Sequence, residues 1–226
     1  MTPQQTLNSS TPDITNLVTE DDTPVDNFQS EKQQRLLVEP LYSSWSPDIS
    51  FIAAANVGLF YAVKEDPLVP DALLSLRVQM PADWSQKKNR SYFVWEFGKI
   101  PEVAVEIVSN RKGQELGSKR DDYARVGIAY YAVFDPLSQI QTSDQMNGER
   151  LKVFVLTGGQ YRELSQPFWL ETVGLGLTLW EGEFEGQSGI WLRWCSSNGQ
   201  VIPTGKERAD RLAAHLRTLG IDPNEI

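Results

Sequence analysis

From position 49 onward the apolar residues fall in short runs, many β-branched or aromatic, separated by Gly, Pro, Asn and Asp. Such runs read as strands. They predict strands near 49–54, 58–63, 72–78, 91–97, 103–108 and 130–134, with a loop over 81–90 between the third and fourth. Upstream, 30–38 has the pattern of a helix, and Pro40 and Pro47 are expected to break up the segment between it and the first strand. A second helix is predicted from Lys119 to Val126, between the run 103–108 and the run 130–134. Strand, helix and strand in that order imply a crossover packed on a sheet.

Beyond Asp135-Pro136 the pattern predicts more strands, at 151–156, 161–164, 175–180 and 190–194, the first two joined by a Gly158-Gly159 turn. The chain then closes on a helix. Thr204 and Glu207 have the spacing of a capping box, Ala209, Leu212, Ala213, Leu216 and Leu219 share one face, and Gly220 supplies the stop. The division expected is an acidic tail over 1–30, an α/β domain over 31–165, and a β-rich extension with a terminal helix over 166–226.

A chain of 226 residues with 40% hydrophobic content supports one core with appendages. Residues 1–30 carry five acids and no Lys or Arg, so disorder is expected there. They offer neither the basic nor the apolar region of a secretory signal, and the longest apolar stretch, 51–63, is interrupted by Asn56 and Gly58. The chain therefore reads as soluble and cytoplasmic, with no membrane partner, and the single cysteine, Cys195, excludes an internal disulfide. A net charge of -9 argues against tight non-specific binding to phosphates, although the net negative charge lies toward the two ends and 41–165 is nearly neutral.

Glu106 stands inside the apolar run Val103-Ala104-Val105-Glu106-Ile107-Val108. An unpaired carboxylate in a strand covered on both faces costs several kcal/mol, so a cation is expected against it. Lys119, Tyr123 and Val126 lie at i, i+4 and i+7 of the following helix, which puts the lysine on the packing stripe, although a cation in the first turn opposes the helix dipole. Glu106 across the gap accounts for it. A buried Glu106–Lys119 ion pair without catalytic meaning explains these two residues as well as a reactive site does. Asp71, in Val69-Pro70-Asp71 before the apolar run 72–76, adds a second carboxylate on a neighbouring strand. Two carboxylates and a lysine suit Mg²⁺, which takes a few carboxylates and fills its other positions with water and substrate phosphate; Mn²⁺ would also be accepted.

Pro70-Asp71, Glu106-Ile107-Val108-Ser109, the segment from Lys119 to Tyr131 and Asp135-Pro136 together resemble the Uma family of bacterial putative restriction endonucleases, within the PD-(D/E)XK nuclease superfamily. The resemblance covers roughly 30–165. It implies a restriction-endonuclease-like α/β fold with a mixed sheet flanked by helices, and an endonuclease acting on DNA with Mg²⁺. It also implies metal ligation by Asp71 and Glu106, with Lys119 orienting the attacking water or stabilising transition-state charge. The superfamily motif places its lysine two residues after the acid, where Val108 stands here. Members of the family carry it on the following helix, as Lys119 does.

Other features have plainer readings beside functional ones. The loop Gln86-Lys87-Lys88-Asn89-Arg90, between Trp84 and the aromatics Tyr92, Phe93 and Trp95, can contact a nucleic-acid backbone, but solvated charges in front of buried rings are the commoner arrangement. Arg111, Lys112, Arg120 and Arg125 fit phosphate contacts or surface charge equally well, and Glu96 is a third acid with no firm placement. His215 reads as a helix-surface residue, and Trp169, Trp180, Trp191 and Trp194 as the core of a small sheet rather than a sugar-binding face. The rival to a nuclease is a catalytically inactive descendant serving as a binding or assembly module, with the apolar terminal helix leaving a homodimer open.

Overall fold

A computed structural model describes residues 27–111 and 114–223. The expected disorder of 1–30 falls outside these residues up to position 26, and positions 28–30 form the first turn of a helix. That helix, α1 (Phe28–Ser44), opens where the Asn27 side chain accepts the amides of Gln29 and Ser30. It continues through Pro40 rather than ending before it. A proline inside a helix costs about 3 kcal/mol, and the burial of Leu36, Leu37 and Leu41 on the same helix offsets that cost.

Six strands form the main sheet, in the order β1 (Phe51–Ala54), β3 (Ala72–Leu76), β5 (Val103–Ile107), β6 (Tyr130–Phe134), β7 (Leu151–Thr157) and β8 (Gln160–Glu163). Only β5 and β6 are parallel, joined through α3 (Ser118–Val126); every other neighbour is antiparallel. This is the mixed α/β sheet with flanking helices of the restriction-endonuclease-like fold. Every residue of β3, β5 and β6 is buried, because both faces are covered. On one face Leu74, Val105 and Phe134 meet Leu37 and Leu41 of α1; on the other Ala104, Tyr131 and Val133 meet Tyr123 and Val126 of α3.

Two expected strands are shorter. The run 58–63 keeps only β2 (Leu59–Phe60), paired in parallel with β4 (Tyr92–Phe93), and the rest of 91–97 turns into the short helix α2 (Val94–Phe97). A two-residue partner ends the ladder, and Phe97 curls back to stack on Tyr92 with ring centroids 4.4 Å apart.

A second sheet, β9 (Phe168–Leu170), β10 (Leu175–Phe184) and β11 (Gln187–Cys195), lies against α1. The Gln33 side chain accepts the Leu192 amide and donates to the Leu192 carbonyl, while the Trp194 indole donates to the Leu37 carbonyl at 2.7 Å. Leu175, Leu192 and Trp194 thereby join the core of the main sheet. Helix α4 (Gly205–Thr218) has the expected capping box, and buried Arg193 ties β11 to it through Glu207 at 2.8 Å. No described residue of α4 is itself buried, and Leu212 and Leu219 are 58% and 61% exposed. Among the described residues no helix is long and apolar enough to cross a membrane.

Candidate active site

The strand pair β3 and β5 sets the two acids. Ala72 faces Val105 and Leu73 faces Ala104, so Asp71 directly precedes the first paired residue of β3 and Glu106 directly follows the last residue of β5 that pairs with β3. One carboxylate oxygen of Asp71 accepts the Ile107 amide at 2.6 Å, which ties it to the residue after Glu106. The other accepts the Gln34 side-chain amide of α1 at 2.9 Å, and Gln34 in turn accepts from Asn56 at 3.1 Å. Both β5 and α1 thus hold Asp71 in place, with Asn56 steadying Gln34.

Glu106 is 2% exposed. Its Oε2 accepts from Lys119 Nζ at 2.8 Å and its Oε1 from the Tyr123 hydroxyl at 2.7 Å. Both donors lie on α3, one turn apart, as the i, i+4 spacing predicts. Burial pushes the Glu106 carboxyl up to about 7 against the pull of Lys119, and the charge of Asp71 adds to the rise. For Lys119 burial acts downward, but the charge and hydrogen bond of Glu106, with Glu115 and Asp71, outweigh it and hold the amine above its ordinary value. The proton of the pair stays on the lysine, and the carboxyl is the group that changes charge near neutrality.

Sequence pattern alone does not reveal Gln34 or Glu115. Glu115 is buried, 3.8 Å from Lys119, with its Oε2 lacking a hydrogen-bond partner among the described residues. Burial raises its carboxyl above the ordinary value. Its position four residues before Lys119 is the one signal that could have found it.

The other candidates lie elsewhere. Glu96 pairs with Lys88 at 3.2 Å, Arg125 with Asp122 at 2.8 Å, and Arg120 lies over the Phe154 ring. Arg111 occupies a turn after β5, and Lys112 lies outside the described residues. His215 is on the exposed surface of α4. Trp191 and Trp194 are core, whereas Trp169 and Trp180 are half-buried; Tyr92 is buried, but Trp84 and Trp95 are exposed. The aromatics near the 86–90 loop therefore divide between the two readings.

Residues 19–181 match the model of the Uma2 family, described as putative restriction endonuclease. The chain belongs to this family. The Uma2 match extends past the main sheet into β10, further than the motifs alone indicated. It spans the elements that carry Asp71, Glu106 and Lys119. No curated protein matches the chain by sequence.

Proposed function

We propose that this Uma2 protein is an endonuclease that hydrolyses DNA phosphodiester bonds with Mg²⁺, or Mn²⁺, held by Asp71 and Glu106. The observation that supports the reading is the Lys119 amine 2.8 Å from buried Glu106, with Asp71 accepting the amide of the next residue, Ile107, at 2.6 Å. The donor set suits the ion. Mg²⁺ is held by one or two carboxylates and keeps water in its remaining positions. Each of the four carboxylate oxygens accepts a hydrogen bond from the protein, those of Asp71 from Ile107 and Gln34 and those of Glu106 from Lys119 and Tyr123. Among the described residues no group of three or more His, Cys, Asp or Glu is clustered for a metal, so the ion would depend on water and substrate to complete its shell.

When bound, such an ion polarises the phosphate and lowers the pKa of a water. The protein's own part is positioning and charge. Tyr123 and Lys119 fix the Glu106 carboxylate, while Gln34 and the Ile107 amide fix Asp71, so neither acid must reorganise to act. Lys119, partly exposed, presents a cation beside the acids where it can offset the charge that develops on a phosphate. Supercoiled plasmid incubated with Mg²⁺ tests the reading. Wild type should nick it, and Asp71→Ala and Glu106→Ala should not; equal nicking by all three refutes it.

A second reading, the non-catalytic module, is favoured by the exposed Leu212 and Leu219 of α4. Calorimetry separates the two. Binding of Mg²⁺ or Mn²⁺ that Glu106→Gln abolishes supports the nuclease, and absence of binding to wild type supports the module.

A further inference from the structure

We infer that the pocket beside the two acids binds a single unstacked nucleobase of the substrate strand, held against Trp84. This rests on the nuclease reading for its substrate but on separate residues for its evidence. The pocket, of about 260 Å³, has Ala54, Leu73, Tyr92 and Phe97 in its lining, with Met80 and Trp84 forming an outer wall. Leu73 lies in β3 two residues after Asp71, which directly precedes that strand, and Ala54 is the partner of Leu73 on β1. Asn56, two residues past Ala54, holds the Gln34 amide group that fixes Asp71. Through Leu73 the pocket thus lies two residues along the chain from Asp71, and through Ala54 two residues from Asn56, which is tied to that acid through Gln34.

The wall is unusual for a free surface. Trp84 is 64% exposed and Met80 48%, a grouping of large apolar side chains that marks a contact site more often than solvent-facing surface. It is also built rather than loose. Asp83 accepts from the Ser85 amide and the Gln86 side chain, Asn89 donates to the Asp83 carbonyl, and Arg90 donates to the carbonyls of Trp84 and Ser85 at 2.9 and 2.6 Å. These bonds fix the backbone that carries Trp84 and hold the Arg90 charge at the rim.

Charge and shape choose the occupant. A purely apolar ligand has no need of a cation at the mouth, whereas a nucleotide presents a flat ring to the indole and a phosphate to Arg90. The volume is below the 300–1,000 Å³ usual for drug-sized ligands and suits one ring system. The pocket lies within a few residues of Asp71, so the base it takes belongs to a nucleotide close to the bond being cut.

The test compares oligo(dT) twelve nucleotides long with a chain of the same length and phosphate number made of abasic residues, by fluorescence anisotropy in EDTA. Wild type should bind oligo(dT) roughly tenfold more tightly, the scale of one base stacked on an aromatic ring. Trp84→Ala should abolish that preference and leave affinity for the abasic chain unchanged. A preference retained in Trp84→Ala, an equal loss for both chains, or no binding of oligo(dT) by wild type would overturn the inference. Nicking of plasmid by the same preparations is scored separately. Wild-type nicking with no effect of Trp84→Ala on oligo(dT) binding removes the base pocket and keeps the nuclease; a Trp84-dependent preference without nicking keeps the pocket and removes the hydrolysis.

Discussion

Replacing Glu106 with Gln should abolish a specific pH dependence of stability. A carboxyl raised from 4.5 to about 7 by burial binds protons more readily in the folded chain than in the unfolded one. Between those pH values the folded state holds the extra proton, so stability contributed by this group falls as pH rises. At ~1.4 kcal/mol per pH unit the loss across that window is about 3 kcal/mol, an upper bound because the unfolded chain is not fully solvated. Lys119 stays charged throughout the window and adds no slope. Gln does not titrate, keeps the shape and still accepts a hydrogen bond. Urea unfolding of both proteins in EDTA at several pH values from 4 to 8 gives the difference directly, with the other carboxylates cancelling. The stability of wild type relative to Glu106→Gln should fall by up to about 3 kcal/mol from the acid to the alkaline end. Parallel curves would refute the claim that burial dominates the Glu106 environment.

Saturating Mg²⁺ at pH 8 should raise the urea midpoint of wild type, by about 2.7 kcal/mol of stability at a hundredfold excess over Kd, and leave Glu106→Gln unmoved; equal shifts would place the ion elsewhere. Tyr123→Phe keeps the ring stacked 4.9 Å from Tyr131 but leaves Glu106 Oε1 without its donor, so equilibrium unfolding should show a loss of about 1–3 kcal/mol, and a change below 0.5 would mean that hydrogen bond contributes little. Arg193→Ala removes a buried cation that lies 5.0 Å from the Trp180 ring and pairs with half-exposed Glu207; stability should fall by about 3 kcal/mol, and limited proteolysis should cut earlier between β11 and α4 than in wild type.

The elements that carry the acids are legible in the sequence because the sheet interior leaves an uninterrupted apolar run at 103–107 and 130–134, in which one charge stands out. Glu106 and Lys119 can be paired from spacing alone because the crossover α3 must pack on the strand that precedes it. Gln34 cannot be found this way. Its partner Asp71 is 37 positions away, and a polar residue on a helix gives no periodic sign of a hydrogen bond made across the fold. Pro40 misleads because the rule against helix-interior proline is local, whereas the burial that overrides it is tertiary. The stretch 91–97 has the composition of a strand, but β2 supplies only two residues of partner, and pairing length cannot be seen from one strand's own sequence.

An ion pair kept only for stability does not account for this arrangement. Buried pairs are close to neutral for folding, and apolar side chains of similar volume often do better. Ala104 and Val108, on the same face of the same segment, are apolar and buried. The fold therefore accepts an acid at 106 where an aliphatic residue would pack without desolvation. It then adds a second carboxylate at 71, whose charge raises the Glu106 carboxyl further, and a third acid at 115 with one oxygen unsatisfied, while a single lysine in an unfavourable helix turn offsets them. Each of these choices works against the isolated chain. A divalent cation between Asp71 and Glu106 would reverse the largest of them at once, because it favours the ionised carboxylates that burial disfavours. Acids gathered near one end of β5 with a single lysine against them thus cost the isolated fold what the proposed metal would return.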